Sequence, residues 1–542
     1  VKNTLFRQGR KESTAMMRLA AWMIALICIA PVTVVLLAWA LPLTPLSQES
    51  WEHLRTVMLP EYLATTLWLG AGAVAVSLCF GTLSAWLVTH FRFPGSQALE
   101  WALILPLAVP GYIAALAYGY LFDFAGPVQS ALREWFGWRR GDYWFPPVRS
   151  LGGAIFLLGM ATTPYIYLLA RTAFLSQPRE WEEAAASLGA GRWRIFRTVT
   201  LPVARPFLAG GAALAMMEVL ADIGTVGLLG VPTLSAGVYR TWFHLQEPLL
   251  AARMAGLLVL FALLLMAVER FSRGGMRYAS VRATGRAVPT ALHGGRGLLA
   301  CALAAIPVIF GFLIPLLVLL RLVSYYWQQF SLESWLPTLG DTVLLAGLAA
   351  LITAGAALLL VGAERFHPRS AGWIGQLAAL GYALPGAVIA IGLLVLFGWL
   401  RGYVPDGVLT GSLTGLMLAY LARFMATAYH PLHAGALRIP PELDMASATL
   451  GKSRGQTFRR IHLPLLLLPA LAAATMVWID TLKELPATLI LRPFDIRTFA
   501  MRSYELASDD RAVEASPHAL ALVVLSVLGV WVLHRLKLGR EG

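Results

Sequence analysis

The sequence predicts an all-α polytopic membrane protein, with about 12 transmembrane helices arranged as two homologous, parallel six-helix halves. Three observations predict this: an apolar composition, recurrent apolar runs of spanning length, and a long internal repeat. Of 542 residues, 58% are hydrophobic and only 13% charged. The mean hydropathy of +0.68 lies outside what water-soluble globular domains show. Apolar runs of roughly 20 residues, enough to cross about 30 Å of hydrocarbon, recur along the whole chain. They fall near 18–42, 63–89, 99–123, 151–172, 207–230, 249–269, 297–322, 340–363, 374–400, 408–428, 466–490 and 516–535.

Near the start, Lys2, Arg7, Arg10, Lys11 and Arg18 precede an apolar stretch from about Leu19 to Leu43. No small-x-small cleavage site follows it, so it reads as a first span that is kept rather than a leader. The net charge of +14 raises the question of nucleic acid, and the placement of the charges answers it. Positive residues gather in the N-terminal tail, in the stretch with Arg270, Arg273, Arg277, Arg282, Arg286 and Arg296, in the 171–205 and 423–460 loops, and at Arg535, Lys537 and Arg540. This is the positive-inside pattern, and it argues against nucleic acid as a partner. An even number of spans then puts both termini in the cytoplasm. Cys28, Cys79 and Cys301 all lie within apolar runs, which supports neither a disulfide framework nor a thiolate metal site.

The repeat pairs Pro178-Arg-Glu-Trp-Glu-Glu-Ala-Ala-Ala-Ser-Leu-Gly189 with Pro440-Pro-Glu-Leu-Asp-Met-Ala-Ser-Ala-Thr-Leu-Gly451, an offset of about 262. The same offset places Arg192 on Arg454, Phe196 on Phe458, Leu201-Pro202 on Leu463-Pro464 and Arg240 on Arg502. Upstream, Val109-Pro110-Gly111 matches Leu384-Pro385-Gly386 at an offset near 275, and the loop from Ala125 to Ser150 absorbs the difference. That loop is expected outside the cell, and its Trp135, Trp138, Tyr143, Trp144 and Phe145 suggest packing at the membrane surface or against a partner. Even-numbered halves make the repeats parallel, packed about a pseudo-two-fold axis with the path on it. The expected division is a tail, first helix and loop at 1–60, a first half at 61–270, a linker at 271–296, the second half's first helix at 297–336, and the remaining second half at 337–542.

Each half holds one long internal loop. The first reads Glu182, Glu183, Ala184, Ala185, then Gly189 and Leu201-Pro202; the second reads Asp444, Met445, Ala446, Ser447, then Gly451 and Leu463-Pro464. A Pro ahead of the first turn, small residues on the exposed face and a Gly for a sharp turn describe a short helix lying along the membrane face, with the Leu-Pro starting the next span. The pattern resembles the coupling motif of ABC importer permeases with MetI-like transmembrane domains. The resemblance implies that these residues dock two copies of a separate ABC ATPase. Met445 cannot repeat the ionic role of Glu183, so either Asp444 substitutes or that charge is not needed on the second side. Gly451-Lys452-Ser453 imitates the end of a phosphate-binding loop, but Ala446 stands where its first Gly belongs, so no nucleotide site is expected.

An acid at the bilayer centre costs about 2.5–3.5 kcal/mol and needs a reason. Glu218 with Asp222, and Asp480 with Glu484, correspond at the repeat offset, and i, i+4 spacing puts each pair on one helix face. All four are expected to face the central interface. Ala221-Asp222-Ile223-Gly224-Thr225 and Lys483-Glu484-Leu485-Pro486-Ala487-Thr488 resemble the fused two-half permeases of the ferric iron importer family. Two readings of the acids stand open: transient contact with Fe³⁺, a hard cation suited to carboxylate and phenolate oxygen, with Tyr112, Tyr118 or Tyr120 assisting; or structural use, pairing with Lys483 and capping helices broken at Gly224 and Pro486. Arg240 and Arg502 are expected at the external mouth.

The resemblance further implies a non-enzymatic subunit of the bacterial inner membrane. It would work with a periplasmic binding protein and membrane lipid, bind no cofactor itself, and leave ATP and Mg²⁺ to the ATPase. Alternatives are a permease for thiamine, polyamine or an anion and, from another class, a proton-driven secondary carrier. A membrane-embedded enzyme has no motif to support it.

Overall fold

The computed structural model describes residues 2–273, 289–367, 373–405 and 407–538. Most of the expected linker, 274–288, therefore lies outside the described residues. The described residues are mostly helical, joined by turns and irregular loops, and their longest strand pairing is Phe91–Arg92 with Thr290–Ala291.

Ten helical elements recur in each half. The first half runs α1 Lys2–Leu37, α2 Pro45–His90, α3 Ser96–Ala108, α4 Gly111–Phe122, α5 Leu151–Ser176, α6 Arg179–Ser187, α7 Arg192–Ala221, α8 Gly224–Leu228, α9 Leu234–Phe243 and α10 Pro248–Arg273. The second repeats the order as α11 Gly294–Gln329, α12 Leu332–Phe366, α13 Ile374–Gly381, α14 Gly386–Leu400, α15 Leu413–Ala436, α16 Pro441–Thr449, α17 Arg454–Lys483, α18 Pro486–Leu491, α19 Phe499–Ser508 and α20 Ala512–Leu538.

Among the described residues nine helices are long and apolar enough to cross a membrane, and two bent pairs bring the number to eleven. Those pairs correct the expectation of unbroken spans at 99–123 and 374–400. The chain turns by 91° between α3 and α4 and by 104° between α13 and α14. Each bend falls at the Pro-Gly of the repeat, where Pro110 and Pro385 hold extended backbone (ψ 147° and 142°) just before the next helix. Proline cannot donate to the preceding turn, so the helix ends there. The twelfth expected span, near 408–428, is α15, a helix of spanning length that carries Arg423, His430 and His433.

A second correction concerns where α7 and α17 begin. The Leu-Pro at 201–202 and 463–464 does not start them; helix is already present from Arg192 and Arg454. Five-residue π-helical stretches, Phe196–Thr200 and Phe458–His462, lie immediately before the prolines. A π turn relaxes the hydrogen-bond register at the point where proline lacks its N–H, so the helix continues through it.

The halves are wrapped into one another. α1, through Ala21, Ala25 and Cys28, and α10, through Leu250 and Ala255, share a buried cluster with the second half's α14 and α15. Reciprocally, Leu319 of α11 and Ala519 and Leu522 of α20 pack with Tyr112 and Ile113 of α4 and Leu158 of α5. Ile223 and Leu485, equivalent at the repeat offset and each 2% exposed, cross over in the same way: each belongs to the cluster formed largely by the opposite half. At the far side of the loop, Arg149 bridges Asp123 of its own half and Asp510 of the other, both at 3.0 Å. The 125–150 loop itself folds into a helix, Pro127–Phe136, followed by stacked rings of Phe136, Trp138 and Tyr143, while Trp135 and Trp144 point outward.

In lipid there is little hydrophobic force between helices, so close packing of small residues and hydrogen bonds must hold them. α2 and α5 meet this way. Ser77 Oγ donates to the Gly159 carbonyl at 2.7 Å, and a Cβ on Gly159 would stand 2.7 Å from Val76 Cβ and 3.2 Å from the Ala73 carbonyl. Gly159→Val should therefore force these helices apart, at a cost of about 1–3 kcal/mol. The check is the thermal midpoint of the purified protein in lipid nanodiscs; an unchanged midpoint would show that the α2–α5 contact is not tight.

Candidate functional site

Each acid pair is divided by a helix end. α7 stops at Ala221 and α17 at Lys483, so Asp222 and Glu484 stand in extended backbone between two helices. Their carboxylates are caps. Asp222 Oδ1 accepts the backbone N–H groups of Thr225 (2.8 Å) and Val226 (3.1 Å), and its Oδ2 accepts the Thr225 hydroxyl at 2.7 Å. Glu484 Oε1 accepts the N–H of Ala487 at 3.0 Å. A helix start inside a membrane leaves orphan N–H donors, and a side-chain oxygen is the local means of satisfying them. The Pro-Gly bends serve the same caps: a Cβ on Gly111 would lie 3.2 Å from Asp222 Oδ2, and one on Gly386 would lie 3.2 Å from Glu484 Cδ. Only glycine lets α4 and α14 approach so closely.

Glu218 and Asp480 sit one turn earlier, inside α7 and α17, and cap nothing. Tyr165 donates to Glu218 Oε1 at 3.1 Å, and Thr427 donates to Asp480 Oδ2 at 3.3 Å. Tyr165 and Thr427 are themselves equivalent at the repeat offset. All four acids line one central cavity between the halves, together with Tyr112, Arg423 and Lys483, and no His or Cys is among its lining residues. Arg423 Nε donates to Glu484 Oε2 at 2.7 Å and its guanidinium also caps the Leu384 carbonyl. Lys483 Nζ lies 3.7 Å from Asp480 Oδ1 and donates to the Leu107 carbonyl at 3.3 Å. Next to the caps, a Cβ on Gly224 would stand 2.8 Å from Tyr112 Cβ and 2.9 Å from Leu485 Cδ2. The halves thus touch directly on the α8 side of the cavity.

A second pair of equivalent features lies where α6 and α16 join the spans. Both helices end in a glycine with left-handed backbone, Gly189 at φ +80° and Gly451 at φ +73°. In each, the residue after the glycine bonds back to the helix, Ala190 N–H to the Ala185 carbonyl and Lys452 N–H to the Ser447 carbonyl, both 3.1 Å. This is a Schellman turn, which favours glycine because other residues are strained at positive φ. The outward side of the helices carries large apolar residues, Trp181 and Leu188 on one and Leu443, Met445 and Leu450 on the other, among exposed acids that include Glu180 and Glu442. Glu183 and Ala184 are exposed, Ala185 half-buried, Ala446 exposed and Ser447 buried against Thr457.

Comparison with known proteins follows the same two-fold plan. The family described as "Binding-protein-dependent transport system inner membrane component" matches twice, over residues 77–274 and 359–536. The chain belongs to that family. It is 26% identical over 520 residues to the "Fe(3+)-transport system permease protein FbpB 2" of Haemophilus influenzae, covering 94% of this chain and 96% of that protein. It is 25% identical over 531 residues, 90% of each chain, to the "Probable ABC transporter permease protein y4fN" of Sinorhizobium fredii. A shorter match, 34% over 171 residues, is to the "Molybdenum transport system permease protein ModB" of Escherichia coli, covering 30% of this chain and 70% of that one.

Within this binding-protein-dependent permease architecture, the sequence-selected residues divide. Glu218, Asp222, Asp480 and Glu484 come together at the cavity. Of the tyrosines, Tyr112 lines it, whereas Tyr118 donates to the Phe310 carbonyl at 2.7 Å and Tyr120 lines a separate cavity beside Asp123 and Arg149. Lys483 approaches Asp480, but the partner of Glu484 is Arg423, which sequence reasoning missed. A charge in the middle of the 408–428 run was the signal that pointed to it. Tyr165 and Thr427 were also missed, and the offset of about 262 would have paired them. Arg240 and Arg502 lie on α9 and α19, between the broken helices and the returning α10 and α20. Arg240 is exposed, and Arg502 is 3.9 Å from Glu505. Glu182 and Asp444 point not outward with Glu183 but inward, onto the spans. Among the described residues no group of three His, Cys, Asp or Glu is arranged to hold a metal ion.

The division of the acids predicts unequal tolerance of neutral substitution. Asn caps helices as well as Asp, so Asp222→Asn should cost under about 1 kcal/mol. Glu484→Gln leaves the half-buried Arg423 without its closest counter-charge, which should cost up to about 3 kcal/mol, and Arg423→Gln in the same chain should recover much of it. Thermal unfolding of the three variants decides this; equal losses for Asp222→Asn and Glu484→Gln would contradict the assignment.

Proposed function

We propose that the chain is the transmembrane permease subunit of an ATP-driven importer of ferric iron, supplied by a periplasmic binding protein. In this reading two copies of an ABC ATPase dock on α6 and α16 at the cytoplasmic face. Both termini lie on that face, and Arg240 and Arg502 stand at the outer mouth. The observation that carries the reading is the near full-length match to an Fe³⁺-transport permease, joined to a central cavity lined by four carboxylates and the two phenols of Tyr112 and Tyr165. Fe³⁺ is a hard cation and takes oxygen donors.

The two kinds of acid then have different roles. Asp222 and Glu484 hold the broken helices, while Glu218 and Asp480 face the path as transient ligands, assisted by Tyr165. Two carboxylates on opposite halves suit a contact that must release its ion as well as attract it. Relatives named for molybdenum and sulfate transport and the presence of Arg423 and Lys483 in the cavity favour a second reading, an oxyanion permease. Against it, Arg423 is committed to Glu484 and the Leu384 carbonyl, and Lys483 to Asp480 and the Leu107 carbonyl.

The test is radiolabelled Fe³⁺ uptake in proteoliposomes holding the full transporter and its binding protein. Uptake should require ATP and persist when the proton gradient is collapsed. Glu218→Gln with Asp480→Asn should reduce it at least ten-fold while the complex stays assembled. Wild-type uptake in that variant would remove the ligand role, uptake driven by the gradient alone would favour a secondary carrier, and uptake of molybdate or sulfate instead of iron would favour the oxyanion reading.

A further inference from the structure

The acids Glu182 and Asp444 are equivalent at the repeat offset, one on the first turn of α6 and the other on that of α16. Each ties its helix to two spans. Glu182 Oε1 accepts the Thr200 hydroxyl at 2.8 Å and an N–H of His90, whose Nε2 lies 3.2 Å away. Asp444 Oδ2 accepts Arg365 Nε at 2.8 Å, and its Oδ1 accepts His462 Nε2 at 2.6 Å. His90 and Arg365 occupy the last turns of α2 and α12. Thr200 and His462 are the closing residues of the π-helical stretches of α7 and α17. The partners differ in chemistry between the halves but not in place.

Two further features set these joints apart from incidental surface contacts. A π turn inserts a residue into the helix register and re-aims the side chain at its end, and in both halves the re-aimed side chain is the one that meets the acid. The partners are also held from behind. His90 packs edge-on against Phe174, and His462 packs edge-on against Phe366 and is 2% exposed at its side chain. The His90 imidazole holds the Glu182 carboxyl below the usual carboxylate range, so the joint keeps its charge at neutral pH. Charge-assisted hydrogen bonds of this kind are about twice as strong as neutral ones, and two on one carboxylate fix its direction.

A helix lying across the membrane face moves the spans only if it is tied to them. The sequence suggested that the glutamate of the motif, Glu183, carries the coupling, but its equivalent is Met445. The acid that both halves share is the one before it.

We propose that Glu182 and Asp444 are positioning residues that carry motion of α6 and α16 into α2 with α7 and α12 with α17. This rests on the reading of α6 and α16 as the ATPase-docking helices. The proposal makes the two acids struts within the chain rather than contacts to the partner.

The experiment uses the complete transporter, this chain with its ATPase subunits in lipid nanodiscs or proteoliposomes and with its binding protein. It compares wild type, the Glu182→Ala/Asp444→Ala double variant and the Glu182→Gln/Asp444→Asn double variant. Two quantities are read: ATPase subunit retained on size exclusion, and cargo moved per ATP hydrolysed. The alanine double should retain the ATPase subunit within two-fold and lose cargo per ATP ten-fold or more. The amide double should fall between, because an amide oxygen still accepts from Thr200 and Arg365. Cargo per ATP unchanged in the alanine double would overturn the proposal, and so would loss of the ATPase subunit, which would make the acids docking contacts. Should the alanine double fail to fold, the single variants of each half give the same comparison at reduced amplitude. A Trp181→Ser/Leu188→Ser variant tests the underlying reading separately: full retention of the ATPase subunit there would remove α6 as a docking helix, whatever the acids do.

Discussion

Backbone polar groups inside hydrocarbon have no water to turn to, and this constraint governs the centre of the molecule. Helices α7 and α17 stop at Ala221 and Lys483, and every stop exposes N–H donors. The chain meets the requirement locally. A carboxylate follows the last residue of α7 and of α17, accepts the first free N–H groups of the next short helix, and is covered by a glycine from the bent α3–α4 or α13–α14 segment. Without Asp222 and Glu484 the short helices α8 and α18 would have no start. Without Gly111 and Gly386 the caps would have no room. The proline ahead of each glycine ends the preceding helix, so one dipeptide supplies both the break and the close approach.

The same arrangement explains how a cavity with four acids persists in a membrane. Two of the acids are satisfied by backbone donors, one of these also by Arg423, and the other two by hydroxyls from the neighbouring spans. Lys483 adds a charge near Asp480. The polar groups therefore hold one another as well as the helices. Wrapping contributes: α1 and α10 pack on the second half, and α11 and α20 on the first, so each half covers part of the other.

Much of this was legible in the sequence. The offset of about 262 between Gly189 and Gly451 located the equivalent turns, and the i, i+4 acids located the cavity. What was not legible has physical causes. Regular helical spacing puts Glu218 and Asp222 on one face, and only the chain's departure from helix at Asp222 separates the acid that caps a helix from the one that caps nothing. Pro110-Gly111 served only as a repeat match inside the span expected at 99–123, although the chain bends there by 91°. Arg423 was counted with the positive charges of the 423–460 loop, whereas it sits inside α15 and its partner lies 61 positions away in another helix. Glu182 stands beside Glu183 in sequence, and which of two adjacent acids turns inward depends on the rotation of a two-turn helix against its neighbours.

The central claim is that Glu218 and Asp480, from opposite halves, face one shared path. The most direct measurement is bridging across it. Cysteines placed at 218 and 480, in a chain whose Cys28, Cys79 and Cys301 are replaced by alanine, should be joined by a short bifunctional thiol reagent within a single polypeptide. That joining should stop ATP-driven uptake, and cleaving the bridge should restore it. Thiols that cannot be bridged, or a bridge that leaves uptake at its original rate, would contradict the account.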